Sequence, residues 1–354
     1  MVKVAIAGGT SPTLGQAIIS AMLKTHPENT PIIILSSRPP PSTPTHATAA
    51  DPSTISAASD PTTINTTSTL HAGRVEVRHV AYDSHTSLTA ALHDVHTVVS
   101  VIKIPDPDAM RDAQLALLRA AKAAGCRRFA PSEWAFGAAG RVDAVRGKDE
   151  VWDACRASGL ECARFRCGAF MNYLGVGRAF SSEDAREKAL AGLRGDGPVW
   201  WDFEGGVAEL PVVVEAEGEE GGGKRRFPRV TLTEIDDVGR FVAAACALTE
   251  GSWLEEMDMV GETVRVDEVV GLVKECLGIE LKVVGVTREE LERRVSEVEG
   301  VGKTREEVLK KMIAQLSLVM LEEKEGWAIM KPTLNELCWH TKPLSVREYL
   351  TNYQ

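Results

Sequence analysis

The sequence predicts an α/β fold, a Rossmann-type parallel sheet with helices on both faces, followed by a smaller C-terminal α+β lobe. Three observations predict it. Short β-rich runs alternate with helical patterns through the first half of the chain, the first run ends in a glycine-containing turn, and that turn opens straight into a helix. Crossovers between such parallel strands are right-handed.

The elements follow in order. VKVAIA is the first strand, GGTSPTLG the turn, and QAIISAMLKT the first helix. PIIILSS is the second strand. RVEVRHVA, SLTAALHDV, TVVSVI, DAMRDAQLALLRAAKAAG and RRFAPS continue the strand–helix rhythm. One segment interrupts it: Arg38 to Leu70 is rich in Pro, Ser, Thr and Ala and has few large apolar residues. Such a stretch buries too little surface to offset its ordering entropy, so a mobile surface insertion over about 39–70 is expected. Glu215 to Arg226, EAEGEEGGGKRR, is expected to form a hairpin tip or loop. WWDFEGGVAELPVVV reads as strands, and RVTLTEIDDVGRFVAAACAL as a strand, a turn and a helix. Asp236 and Asp237 suit the unsatisfied N–H groups at that helix start. Thr287 to Glu325 is helical and charged, and NELCWHTKPLSVREYLTNY reads as an extended segment before a short final helix.

Composition excludes several classes. A net charge of -10 argues against a nucleic-acid binder, which needs a basic face. The seven cysteines include no CxxC pair, and the eight histidines show no metal-ligand spacing, so free thiols and no metal site are expected. No run approaches the ~18 apolar residues of a membrane span. The first strand starts within a few residues of Met1, leaving no room for a signal peptide, so a cytoplasmic protein is expected. No GxSxG elbow is present.

The turn carries the first functional signal. Glycines there let backbone N–H groups approach a pyrophosphate at a helix N-terminus. Here Gly8 and Gly15 bracket Thr10, Ser11, Pro12, Thr13 and Leu14, and the middle glycine of the usual fingerprint is missing. Pro12 offers no N–H, and the hydroxyls of Thr10, Ser11 and Thr13 are the substitutes. Dinucleotide binding and a merely structural turn both remain open from this stretch alone. The second strand ends in Ser36, Ser37 and Arg38, with no acidic residue before Asp51. An arginine at that place favours the 2′-phosphate of NADP over the free ribose of NAD.

Several stretches together resemble the isoflavone reductase/NmrA-like family of atypical short-chain dehydrogenases. Gly8 to Gly15 is similar to the family's GGTGxxG turn, and Arg38 to its strand-end arginine. AAKAAGCRRFAPSEWAFG, Ala120 to Gly137, resembles its AAKxAGVKRFxPSEFG stretch, the most specific piece. Lys148 matches the family lysine at the head of the next helix. Arg166 to Leu174, DVGRFVA from Asp237, and the tail PLSVREYL add further likeness. The resemblance implies an NADP-binding Rossmann domain over 1–172 and a mainly substrate-binding lobe over 173–354, with 231–260 returning to the Rossmann domain. It implies NADPH as cofactor, a small aromatic or polyketide-like substrate, and a monomer or homodimer without nucleic acid or membrane. It also leaves open a cofactor-sensing regulator, or a non-redox cyclase, isomerase or dehydratase.

The short-chain dehydrogenase tyrosine is absent, since Ala144 stands four residues before Lys148. Lys148 is therefore the leading catalytic residue, as a desolvated amine or as a ligand of the nicotinamide ribose. Tyr173 is the second candidate, among only four tyrosines. Val101, Ile102 and Lys103 should pass beneath the cofactor, with Lys103 within reach of a phosphate. Pro131 and Ser132 should line the nicotinamide pocket, because open parallel sheets place ligands at the C-terminal ends of their strands. Glu133 is expected in an ion pair or a helix cap. Trp134, Phe170, Met171, Asn172 and Tyr173 are expected on the substrate side, with a core role open for Tyr173, and Trp200, Trp201 and Phe203 either as an aromatic wall or as plain core packing.

Overall fold

The computed structural model describes residues 2–37, 73–194, 197–215, 224–298 and 304–354. The expected insertion after the second strand lies outside the described residues, and so does Arg38. The first half runs β1 (Val4–Ala7), α1 (Leu14–Thr25), β2 (Ile32–Ser36), β3 (Val75–His79), α2 (His85–Ala91), β4 (Thr97–Ser100), α3 (Pro107–Ala123), β5 (Arg128–Ala130), α4 (Lys148–Ala157) and β6 (Glu161–Cys162). These strands form one six-stranded parallel sheet in the order β3-β2-β1-β4-β5-β6. Chain order reverses between β1 and β4, which opens a crevice at the C-terminal ends of those two strands.

The strands are apolar throughout because both faces are covered. Successive side chains point to opposite faces. Val4 and Ile6 therefore face α1, against Ile18 and Met22, while Ala5 and Ala7 join Ile33, Leu35, Val98 and Phe129 beneath Leu88 and Leu117.

The chain continues through β7 (Arg164–Arg166), β8 (Ala169–Phe170), α5 (Glu183–Leu190), β9 (Trp201–Asp202), β10 (Val207–Pro211), β11 (Val213–Glu215), β12 (Lys224–Arg226), β13 (Arg229–Thr233), α6 (Ile235–Ala247), β14 (Glu256–Asp258), β15 (Glu262–Arg265), α7 (Val266–Leu277), β16 (Lys282–Val286), α8 (Arg288–Glu297), α9 (Arg305–Leu321), α10 (Thr333–Leu337) and α11 (Val346–Asn352). β11 and β12 pair antiparallel, so the two ends of the expected hairpin meet; its tip lies outside the described residues. β10 pairs with β9 and β16, and β13 with β8 and β15. Phe241 and Val242 of α6 join the core that covers α1. The cap of α6 is Glu234, whose carboxylate accepts from Asp237 N, and Asp236 and Asp237 fill the first turn behind it. Part of the expected extended tail is helical, since Asn335 to Leu337 lie in α10. Among the described residues no helix is long and apolar enough to cross a membrane.

Candidate active site

A cavity of about 530 Å³ opens at the switch point. The turn after β1, the loop after β4 and the segment after β5 form three of its walls, with α3, the start of α4, Phe170 and Tyr173 completing them. Ser11, Pro12, Thr13 and Leu14 line it from the turn, and Val101, Ile102 and Lys103 from β4. The turn is tightly packed. A Cβ on Gly15 would stand 2.5 Å from the carbonyl oxygen of Gly9, so only glycine lets α1 start there. The Gly8 N–H donates to Leu35 O, and the hydroxyls of Ser11 and Thr13 are 2.8 Å apart.

The start of α1 is unusual among the described α-helices. It receives no side-chain cap and has no acidic residue in its first turn, whereas every other α-helix has a cap or an acid there. Gln16 N–H is already taken by Ser11 O at 3.0 Å, so the N–H groups of Leu14 and Gly15 and the positive dipole end are what this helix start offers an anion such as a pyrophosphate.

The opposite end of the cavity holds Lys148, the first residue of α4. Its Nζ donates to the backbone carbonyl of Glu133 at 2.6 Å and lies 3.9 Å from Glu133 Oε2. The side chains are only 15% and 5% exposed. Burial pulls the ammonium below its ordinary value, with the Glu133 carboxylate opposing. Burial pushes the Glu133 carboxyl up, against Lys148, Arg164 and Arg166. Tyr173 shares the cavity, and burial raises its phenol.

Beneath them runs a fixed polar floor. Ser132 Oγ donates to Ile102 O at 3.0 Å, and Gln114 joins Ser100 Oγ to Ser132 N. Trp134 donates Nε1–H to Ser100 O at 2.8 Å and stacks on Phe165. It still lines the cavity, as do Pro131 and Phe170.

Other expected residues lie elsewhere. Gly8, Thr10 and Gly15 shape the turn without lining the cavity, and Ser37 is exposed at the end of β2, its carbonyl 3.0 Å from His79 Nε2. Met171 is buried in the core of the second half. Asn172 is a bracket, donating to Ala189 O and accepting from Ile235 N. In that second core Trp200 stacks on Phe136 and meets Trp201 edge to face, away from this cavity. Trp200 instead borders a separate cavity of about 710 Å³ beneath α8 and α9.

The structure adds residues not expected from the sequence. Pro107, Met110, Arg111 and Gln114 line the cavity from one face of α3, and Met312 reaches it from α9. Gly192, Leu193 and Arg194 line it next to the turn. A Cβ on Gly192 would lie 2.1 Å from Pro12 O, so this segment rests directly on the glycine turn.

Comparison with known proteins gives the family. The model of the NmrA-like family matches residues 2–350. The chain belongs to the NmrA-like family. No curated protein sequence matches the chain. Among solved structures, it resembles leucoanthocyanidin reductase from Vitis vinifera in binary complex with NADPH (16% identity, TM-score 0.65, 99% of both chains covered). It also resembles triphenylmethane reductase from Citrobacter sp. complexed with NADP(H) (17%, 0.65, 99% of this chain and 100% of the other). A third is the NADPH-dependent quinone oxidoreductase of Escherichia coli complexed with NADPH (15%, 0.63, 99% of both). At such identities these likenesses establish the shared fold.

Proposed function

We propose that this NmrA-like protein is an NADPH-dependent reductase of a small, largely apolar, aromatic or polyketide-like metabolite. The observation that carries the reading is the buried Lys148 lining, with Tyr173, a switch-point cavity that the uncapped start of α1 also borders. The NADP(H) in the solved relatives' complexes supports the choice of cofactor. Bound NADPH would supply the hydride. On this reading Ser11 and Thr13 offer hydroxyls to its phosphates, and Val101, Ile102, Lys103, Pro131 and Ser132 lie beneath it. Residues 1–172 form the cofactor half; the chain from 173, with Tyr173 and Met312, closes the substrate side. Trp134, Ile104, Phe170 and Met312 exclude water, and Lys148 manages the proton at Nζ. The protein acts on a small molecule in the cytoplasm, as a monomer or homodimer, without nucleic acid or membrane.

One observation favours a second reading. The Gly192 backbone packs directly on Pro12, so the turn is in contact with the segment that follows α5. A cofactor sensor without turnover would use such a contact. Following product and NADPH absorbance together, with panels of aromatic enones and quinones, on wild type and Lys148→Met, decides between them. NADPH consumption matched by reduced product in the wild type supports the reductase. Tight NADPH binding with no turnover of any candidate supports the sensor, and product without NADPH loss a non-redox enzyme.

A further inference from the structure

We propose that Glu133 is a positioning residue that holds Lys148 as an ammonium ion, so that the lysine meets its substrate as a proton donor and not as a base. The donor role rests on the reductase reading above; the charge state does not.

The geometry is a paired charge inside an apolar wall. Lys148 opens α4, where the positive end of the helix dipole and burial both disfavour an ammonium ion. Two ionisable groups face it. One is the Cys167 thiol, which burial pushes up to about 12 and so keeps neutral. The other is Glu133, which meets Nζ twice, through its carbonyl at 2.6 Å and its carboxylate at 3.9 Å. The carbonyl fixes where Nζ stands, and the carboxylate stabilises its charge.

Glu133 in turn faces Lys148, Arg164, Arg166 and Asp149. Both arginines are engaged by other acids, Arg164 by Glu256 and Arg166 by Glu256 and Asp258. They supply a positive background that, with Lys148, opposes the upward push of burial on Glu133, while Lys148 has no other carboxylate within ion-pair distance among the described residues. A lone buried lysine sheds its proton, and this arrangement prevents that.

The chemistry follows from the charge. When hydride adds to an electron-poor carbon of an enone or quinone, the electron pair it displaces collects on the conjugated oxygen. An Nζ–H bond breaks, an O–H bond forms there, and the neutral amine regains a proton from water. An ammonium ion at this place favours acceptors that build negative charge on oxygen. It disfavours a route that must first remove a phenolic proton.

The test is a pH series of pulse acetylation with acetic anhydride, on the full chain without cofactor or substrate, read by mass spectrometry at Lys148. Only the neutral amine reacts. The wild type should label slowly near neutral pH and faster with each added pH unit. Glu133→Gln should label about tenfold faster near pH 7, with the same high-pH plateau, since loss of the opposing charge lowers the lysine's proton affinity. Glu133→Asp, whose carboxylate is withdrawn by one methylene, should fall between them. A flat wild-type profile through neutral pH would mean that the lysine is already neutral, and would overturn the proposal. So would equal rates in wild type and either folded variant. If Glu133→Gln fails to fold by circular dichroism, Glu133→Asp and the wild-type profile decide alone. A protein that never oxidises NADPH would sink the reductase reading while leaving this labelling result standing.

Discussion

Two buried cation–carboxylate pairs sit close together in this molecule, and they differ in what they leave unspent. Arg166 on β7 meets Asp258, its register partner on β14, with Nε at 2.7 Å and Nη2 at 2.9 Å, and also Glu256 at 2.8 Å. The Asp258 carboxylate takes a further N–H from Lys331 at 3.5 Å. This fork-to-fork pair is closed and holds two strands in register. Lys148 and Glu133 have the same charges and similar burial, yet their carboxylate contact is 3.9 Å and both face a cavity. A saturated pair stabilises structure. A loosely satisfied one, open to a ligand, keeps a proton available for chemistry.

The sharpest way to break that comparison is to cut the closed pair. Arg166→Met leaves the Asp258 carboxylate buried and uncompensated. A loss of about 3–5 kcal/mol in unfolding free energy is expected, read by urea denaturation. A near-wild-type midpoint would show that Arg166 is no more structural than Lys148.

Lys148→Met cuts the open pair. The fold should survive, because the replacement fills similar volume and most of the cavity wall is apolar. NADPH oxidation should fall by about 10²–10⁴-fold, the scale of one positioned acid–base group. Cofactor affinity should change little, since the proposed phosphate contacts lie at the uncapped start of α1 and not on α4. Full turnover in this variant would remove Lys148 from the chemistry and pass the proton to Tyr173.

A third carboxylate extends the comparison to one with no cation bonded to it. Glu234 is 1% exposed and accepts from Asp237 N and Asn172 Nδ2. Burial, with Asp236 adding to it, raises its carboxyl from 4.5 to about 7. A group raised in the folded state contributes its stability in full below the unfolded value and loses it as pH rises through the folded one. Unfolding free energy should therefore decline by ~2–3 kcal/mol between about pH 4.5 and 7 on account of this group. Glu234→Gln removes the charge and keeps one acceptor oxygen, enough for the helix-cap bond from Asp237 N. Its melting temperature should overtake that of the wild type towards pH 8 and lose the advantage at pH 5. Parallel curves for the two proteins would assign the slope elsewhere.

The parallel sheet was legible because each strand and helix announces itself by local period, and neighbouring elements in the sequence are neighbours in space. The second half was less legible for the opposite reason. β7 pairs with β14 and β10 with β16, partners distant in sequence that no local pattern couples. The site divides in the same way. Lys148 and Ser132 stood out through the PSE stretch and the lysine that follows it. Asn172 looked like a substrate contact, but its amide bonds Ala189, Glu234 and Ile235, which only the folded chain brings near. Trp200 and Trp201 fitted a pocket wall or a core equally well in the sequence, and the folded chain puts them in the core. The α3 wall was within reach. Pro107, Met110, Arg111 and Gln114 stand at i, i+3, i+4 and i+7, the spacing of one helix face, and Gln114 is a polar residue on that face pointing into the switch-point crevice.

The smallest effect concerns cofactor choice, and it tests the far end of the cleft against the near one. β2 ends in Ser36 with Ser37 exposed after it, and the sequence places Arg38 next and no acid before Asp51. A carboxylate in that stretch would repel a 2′-phosphate; an arginine donates charge-assisted hydrogen bonds to one. NADPH should bind about tenfold more tightly than NADH, equivalent to ~1.4 kcal/mol, by calorimetric titration. Arg38→Ser should erase most of that margin and leave NADH affinity unchanged. Because Lys148 and Glu133 lie at the other end of the cavity, the same substitution should leave the Lys148 acetylation profile unmoved. Equal affinities in the wild type would take the preference away from Arg38. Failure of both cofactors to bind would mean that Pro12 and the Gly192 segment close the turn to pyrophosphate, and the uncapped start of α1 would then need another anion.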